Sequence, residues 1–222
     1  MGTTIRLTAA DGHVLSAYQA EPAGTPRGAV VVLQEIFGVN NHIRRVTDDY
    51  AAAGYRAIAP ALFDRTEHGI ELGYGLDDMA RGIALKTQSP LDTALLDIAA
   101  ARDAVSGAGK VGVVGYCWGG FLVYATACRL PGFAAASSYY GGGVAGMLNE
   151  TPAIPIIFHF GERDRHITAE HVASVQAALP QVSVFVYPAD HGFNCGDRAA
   201  FDAPSAELAR ERTLRFFGEK VG

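Results

Sequence analysis

The sequence predicts an α/β fold, a mostly parallel, doubly wound sheet behind an antiparallel N-terminal hairpin. Three observations predict it. Short apolar runs such as 29–33 and 111–114 have the β-branched composition of strands buried on both faces. Segments of helical spacing alternate with them from residue 29 onward, the pattern of a parallel sheet with crossover helices. The first twenty residues instead alternate apolar and polar on either side of Asp11-Gly12, which reads as a hairpin with a two-residue turn.

Each element follows from its own residues. Residues 5–9 and 14–20 are the hairpin strands, and 21–28, with two prolines and two glycines, is a loop. After the strand 29–33, the segment 34–40 is a polar break. Helical spacing over 42–53 stops at Gly54, and the strand 55–59 stops at Pro60. Residues 61–89 show only a weak helical pattern, and a long polar connection in such a domain is functional or mobile. An amphipathic helix spans 91–105. A strand at 111–114 leads through Gly115, Cys117 and Gly119 into helical spacing over 121–128. Strands follow at 133–140, 154–160 and 182–187. Helices are expected at 168–179, with Glu170 in its first turn, and at 204–217. Nothing divides the chain, so residues 1–222 are read as a single domain.

Composition narrows the function. The 222 residues are 49% hydrophobic and carry a net charge of -5, enough for one sizeable core, with no basic run to engage nucleic acid. No stretch is apolar for long enough to span a membrane, and the N-terminus lacks a signal-peptide core. Three cysteines cannot form a full disulfide set, and neither they nor the seven histidines have metal-ligand spacing. These features point to a cytoplasmic protein with no metal and no cofactor.

The segment Gly115-Tyr-Cys-Trp-Gly119 has the form of a nucleophile elbow, with Cys117 in the position of the nucleophile. The flanking glycines admit a sharp strand-to-helix turn, and the Trp118 N–H then points at a reacting carbonyl. A buried structural cysteine on a Gly-rich turn is the bland alternative. Four predicted strand ends carry reactive groups: Glu35, Cys117, Asp164 and His191. The chain order of nucleophile, acid and histidine is that of α/β-hydrolases. His191 would move the thiol and leaving-group protons, and Asp164 would orient it. Asp190 is the weaker acid candidate, because neighbouring side chains on an extended segment diverge. Glu35 directly follows a buried strand, where a carboxylate is costly unless paired or neutral.

The segments Gln34-Glu-Ile-Phe-Gly-Val-Asn40, Gly115-Tyr-Cys-Trp-Gly-Gly120, Gly161-Glu-Arg-Asp164 and His191-Gly-Phe193 together resemble the dienelactone hydrolase (carboxymethylenebutenolidase) family along essentially the whole chain. The resemblance implies an α/β-hydrolase fold and a triad of Cys117, His191 and Asp164. It implies that Glu35 exchanges partners with the cysteine, and that the amides of Ile36 and Trp118 form the oxyanion hole. Arg81, or alternatively Arg65, is the implied carboxylate ligand, with Phe37 beside the substrate. The second family arginine falls at Cys195, which cannot fork a carboxylate, with Arg198 nearby, so small anionic dienelactones are expected to be poor substrates and larger or less charged lactones and esters better ones. The expected function is opening of a lactone, or cleavage of a small carboxylic ester, through a Cys117 thioester. A thioesterase or general carboxylesterase with the same triad is the nearest alternative. A non-catalytic small-molecule receptor or cysteine redox sensor is the alternative of another class. The expected partner is a small-molecule ester or lactone, and the expected assembly a monomer or weak homodimer.

Overall fold

The computed structural model describes residues 2–222. Eight strands form one sheet: β1 (Thr3–Thr8), β2 (Val14–Ala20), β3 (Ala29–Leu33), β4 (Arg56–Pro60), β5 (Val111–Tyr116), β6 (Ala135–Tyr139), β7 (Ile156–Gly161) and β8 (Ser183–Tyr187). Their spatial order is β1-β2-β4-β3-β5-β6-β7-β8. β2 pairs antiparallel with both β1 and β4, and the six strands from β4 to β8 across the sheet run parallel. The fold is therefore the predicted one, hairpin included.

The central strands are fully covered. Every residue of β3 and β5 is buried, which explains why they read as continuous apolar runs. Helices α1 (Asn41–Ala52) and α6 (Ala203–Lys220) share one face, where Tyr50 meets Phe217 at a ring separation of 6.2 Å. Helices α3 (Leu91–Val105) and α4 (Trp118–Arg129) pack together on the other. The remaining helices are α2 (Leu76–Thr87) and α5 (Ala169–Ala178). No helix among the described residues is long and apolar enough to cross a membrane.

Two local expectations change. The hairpin turn holds three residues rather than two: the Ala9 N–H bonds the His13 carbonyl at 2.8 Å, and Gly12 takes φ +86°. A left-handed third loop residue satisfies the strand twist just as a two-residue turn does, and glycine supplies it. The weakly patterned region also contains the full helix α2. Only Gly82 and Leu85 of that helix are buried, so it has almost no apolar stripe to betray it.

The chain leaves β3 for β4 on one side and later adds β5 on the other. The strand order reverses between β3 and β5, and in open α/β sheets a crevice opens there at the carboxyl ends. Glu35 and Cys117 follow those two ends directly.

Candidate active site

Cys117 sits between β5 and α4 at φ +55° and ψ -113°, a backbone state that a non-glycine residue adopts only under constraint. The constraint is packing. A Cβ on Gly115 would lie 2.3 Å from the Gly119 carbonyl oxygen, and one on Gly119 would lie 2.4 Å from that of Leu33. Only glycines let strand, turn and helix close this tightly. Trp118 is the first residue of α4, so its N–H has no acceptor within the helix. Its indole stacks on Phe63 at 5.2 Å. Across the crevice, no backbone acceptor among the described residues takes the Ile36 N–H. Gln34 fixes that loop by accepting from the Leu62 N–H at 3.1 Å.

The acid and the histidine come from the far strands. Asp164 follows β7, and its Oδ2 accepts from His191 Nδ1 at 2.7 Å. Its Oδ1 accepts from the N–H groups of His166 and Ile167 at 2.7 and 3.1 Å, which fixes the carboxylate plane. Burial works to raise the Asp164 pKa, but His191 and these donors hold it below the usual carboxylate range. Burial likewise pushes His191 down, yet hydrogen bonds to Asp164 and Cys117 outweigh it and the imidazole is pushed up to about 10. Asp190 turns the other way, with its Oδ1 accepting from the His191 backbone N–H at 2.7 Å.

Glu35 is 1% exposed. Its Oε1 lies 3.4 Å from Arg198 Nη1, close for an ion pair and long for a hydrogen bond, and its Oε2 has no partner. Burial raises its pKa, and the charges of Arg198 and His191 oppose that incompletely. The Arg198 guanidinium lies 5.7 Å from the centre of the Phe37 ring and 5.8 Å from that of Tyr74. Phe37 is thus buried beneath a cation. Arg198, rather than Cys195, brings a guanidinium to this end of the crevice. Cys195 is buried and donates from Sγ to the Tyr74 hydroxyl at 3.2 Å.

The two candidate arginines before the elbow have different fates. Arg81 lies on α2, half-exposed and paired with Glu67. Its neighbour Gly82 packs so closely on the 34–37 loop that a Cβ would lie 2.2 Å from the Ile36 carbonyl oxygen. Arg81 is thus next in sequence to the helix's contact with the 34–37 loop. Arg65 is committed elsewhere. It grips both oxygens of buried Asp97 at 2.8 Å and reaches Asp11 of the hairpin turn at 2.7 Å. It acts as a clamp between hairpin and α3, with no free guanidinium edge for a substrate carboxylate.

Two groups escaped the sequence. Tyr140, at the end of β6, is buried at φ +36°, its hydroxyl has no partner, and its ring meets His191 edge-on at 5.1 Å. Its position at a strand's carboxyl end was the only available signal. The residues Glu35, His42 and Cys195 also bring carboxylate, imidazole and thiol atoms within 4.8 Å of one another. They come from three separate elements, so no local spacing could reveal them.

The sheet, the elbow after β5, and the acid and histidine after β7 and β8 define an α/β-hydrolase. Residues 15–221 match the model of the dienelactone hydrolase family, and the chain belongs to that family. It is thereby a hydrolase acting on carboxylic ester or lactone bonds. The carboxymethylenebutenolidase of Pseudomonas putida is 33% identical over 225 residues, covering 96% of this chain and 94% of that one. A relative from Azospirillum brasilense, provisionally given the same name, is 36% identical over 233 residues, with 99% and 100% covered. The crystal structure of a protein provisionally named as a dienelactone hydrolase, from Klebsiella pneumoniae, superposes with a TM-score of 0.85 at 28% identity. The match covers 98% of this chain and 99% of that one.

Proposed function

We propose that Cys117 is the nucleophile of a hydrolase for small lactones and esters, and that carboxylate-bearing substrates are its preferred class. The observation that carries this reading is the buried Glu35–Arg198 pair beside the elbow, with one glutamate oxygen unpartnered. A substrate carboxylate arriving at the crevice competes with Glu35 for Arg198, while Arg81 on α2 can turn from exposed Glu67 to assist. The relative in Pseudomonas putida is named for a lactone that bears a carboxymethylene group, in keeping with such a substrate.

Glu35, released from Arg198, accepts the Cys117 thiol proton, and burial makes this carboxylate the stronger base. The sulfur attacks the carbonyl carbon, and the amides of Ile36 and Trp118 donate to the developing oxyanion. As the carbon–oxygen bond breaks, the leaving oxygen takes a proton from His191, which Asp164 holds in orientation. Neutral His191 then takes a proton from water, whose oxygen attacks the thioester. The expelled sulfur recovers its proton from Glu35.

Turnover of a chromogenic ester by Cys117→Ala tests this reading, together with mass spectrometry of the quenched wild-type enzyme. The expected results are loss of turnover and an acyl mass on the peptide containing Cys117. Wild-type activity in the variant would overturn the assignment.

A further inference from the structure

We propose that Glu35, His42 and Cys195 form a site for one zinc ion, and that zinc there holds Glu35 away from Cys117. The ligand atoms already lie within 4.8 Å of one another. Tetrahedral zinc with sulfur, nitrogen and oxygen ligands requires separations of about 3.3–3.8 Å. Small side-chain rotations close the difference. Two of the three groups have unmet bonding capacity: Glu35 Oε2 and His42 Nε2 are both buried without a hydrogen-bond partner. Glu35 is 1% exposed, His42 4% and Cys195 0%, so all three ligand groups are buried. Buried polar atoms without partners are uncommon, and two in one ligand cluster call for an explanation.

The donor set selects the ion. Thiolate with imidazole and carboxylate suits zinc, whereas magnesium and calcium take oxygen ligands. Coordination expels the Cys195 proton to solvent, so a carboxylate and a thiolate neutralise the divalent ion and Arg198 is freed from its pairing with Glu35. The Tyr74 hydroxyl, which accepts from Cys195 at 3.2 Å, can reverse and donate to the thiolate. Asn40 already steadies that hydroxyl from 3.1 Å. Entry is from the α1 face, where a cavity of about 400 Å³ is lined by His42 and by Asn194 and Gly196, the neighbours of Cys195. Asp48, Asp49 and Glu207 also line it.

Binding is tested first without the nucleophile, so that its outcome is independent of the proposed hydrolytic mechanism. Cys117→Ser protein is titrated with Co²⁺, whose thiolate charge-transfer absorption reports a cysteine ligand. We expect one saturable equivalent, displaced by Zn²⁺. The band should disappear in Cys117→Ser/Cys195→Ser, and affinity should fall at least tenfold in Cys117→Ser/His42→Gln. Zn²⁺ should raise the melting temperature of Cys117→Ser and leave that of the Cys195 double variant unchanged, which also checks that each variant folds. A band that survives Cys195→Ser, or no saturable binding, would overturn the site. The effect on Glu35 rests on the proposed function. With wild-type enzyme, Zn²⁺ should inhibit ester hydrolysis reversibly on chelation, with at least tenfold weaker inhibition in His42→Gln. Equal inhibition of both proteins would place the inhibitory zinc on Cys117 and His191 and overturn the lock.

Discussion

Arg198 faces Glu35 at 3.4 Å, and it does so from a guanidinium resting against Phe37 and Tyr74. The pair joins the loop after β8 to the loop after β3. Gly192 makes the approach possible: it adopts φ +81°, and a Cβ there would lie 2.4 Å from Arg198 Nη1. The residue after His191 is therefore glycine because its backbone is left-handed and an arginine passes over it.

Replacing Arg198 by methionine should discriminate between substrates. A charge-assisted contact in a partly buried site is worth roughly 1.5–3 kcal/mol. The specificity constant for a carboxylate-bearing lactone should fall by about ten- to a hundredfold. That for its neutral methyl ester should fall much less. Paired kinetics on the two compounds measure the ratio, and an unchanged ratio would remove Arg198 from substrate recognition.

The two aspartates near His191 are separable. Asp164→Asn removes the acceptor of the imidazole N–H, and turnover should drop by about 10²–10⁴-fold. Asp190→Asn alters only a bond to the His191 backbone N–H, and turnover should stay within about threefold. If Asp190→Asn proved the slower enzyme, Asp164 would not be the orienting acid.

Much of this arrangement is legible in the chain because it is local. The strand ends at Glu35, Cys117 and Asp164 each follow a buried run, His191 follows the half-exposed β8, and the elbow's glycines mark their own turn. What is not legible depends on long-range closure. Helix α2 hides because it buries only Gly82 and Leu85. The role of Arg198 depends on a loop folding back over two rings, and Arg65 is taken from the site by an aspartate on α3 and another in the hairpin turn. None of these partners is near in sequence, so residue type and spacing carry no signal for them.

Gly82 offers a test of how α2 supports the site. A Cβ there would lie 2.2 Å from the Ile36 carbonyl oxygen, so Gly82→Ala must push the helix or the 34–37 loop outward. Displacement of the Ile36 amide should lower kcat by about tenfold or more, since an oxyanion donor acts mainly in the transition state. KM for a neutral ester should change little. An unaltered kcat would show that the loop absorbs the shift without moving that amide.

His159 gives the fold a defined acid sensitivity. It is buried in β7, bonded to the Tyr187 and Thr213 hydroxyls at 2.8 and 3.1 Å, and burial lowers its pKa to about 3. Between roughly pH 6.5 and 3 the unfolded chain binds a proton here that the folded chain does not. Stability should therefore fall as pH drops through that window, by on the order of 5 kcal/mol in full. His159→Gln should flatten this slope even if it lowers stability at neutral pH. Denaturant unfolding at a series of pH values provides the measurement. Equal slopes in the two proteins would assign the acid sensitivity to other groups.

Tyr140 couples a cost in stability to the chemistry. Its backbone is held at φ +36°, with its N–H bonded to the His159 carbonyl at 2.7 Å, and its buried hydroxyl has no partner. Burial raises the phenol's pKa well above its ordinary value, and the charges of Glu35, Cys195 and Cys117 add to that. The hydroxyl thus remains a neutral donor, and under the proposed mechanism the thiolate formed at Cys117 is the new negative group it can serve. Tyr140→Phe keeps the ring, and with it the backbone strain, and removes only the oxygen. A buried hydroxyl left unpaired costs about 1–3 kcal/mol, so the variant should be more stable by an amount in that range, read from denaturant unfolding. Turnover should fall by about tenfold, because the donor available to Glu35 or to the nascent thiolate is gone. Greater stability with lower activity is the trade-off expected of a group retained for function. A variant with unchanged stability would show that the hydroxyl is satisfied in solution, and one with unchanged kcat would make Tyr140 a packing residue against His191.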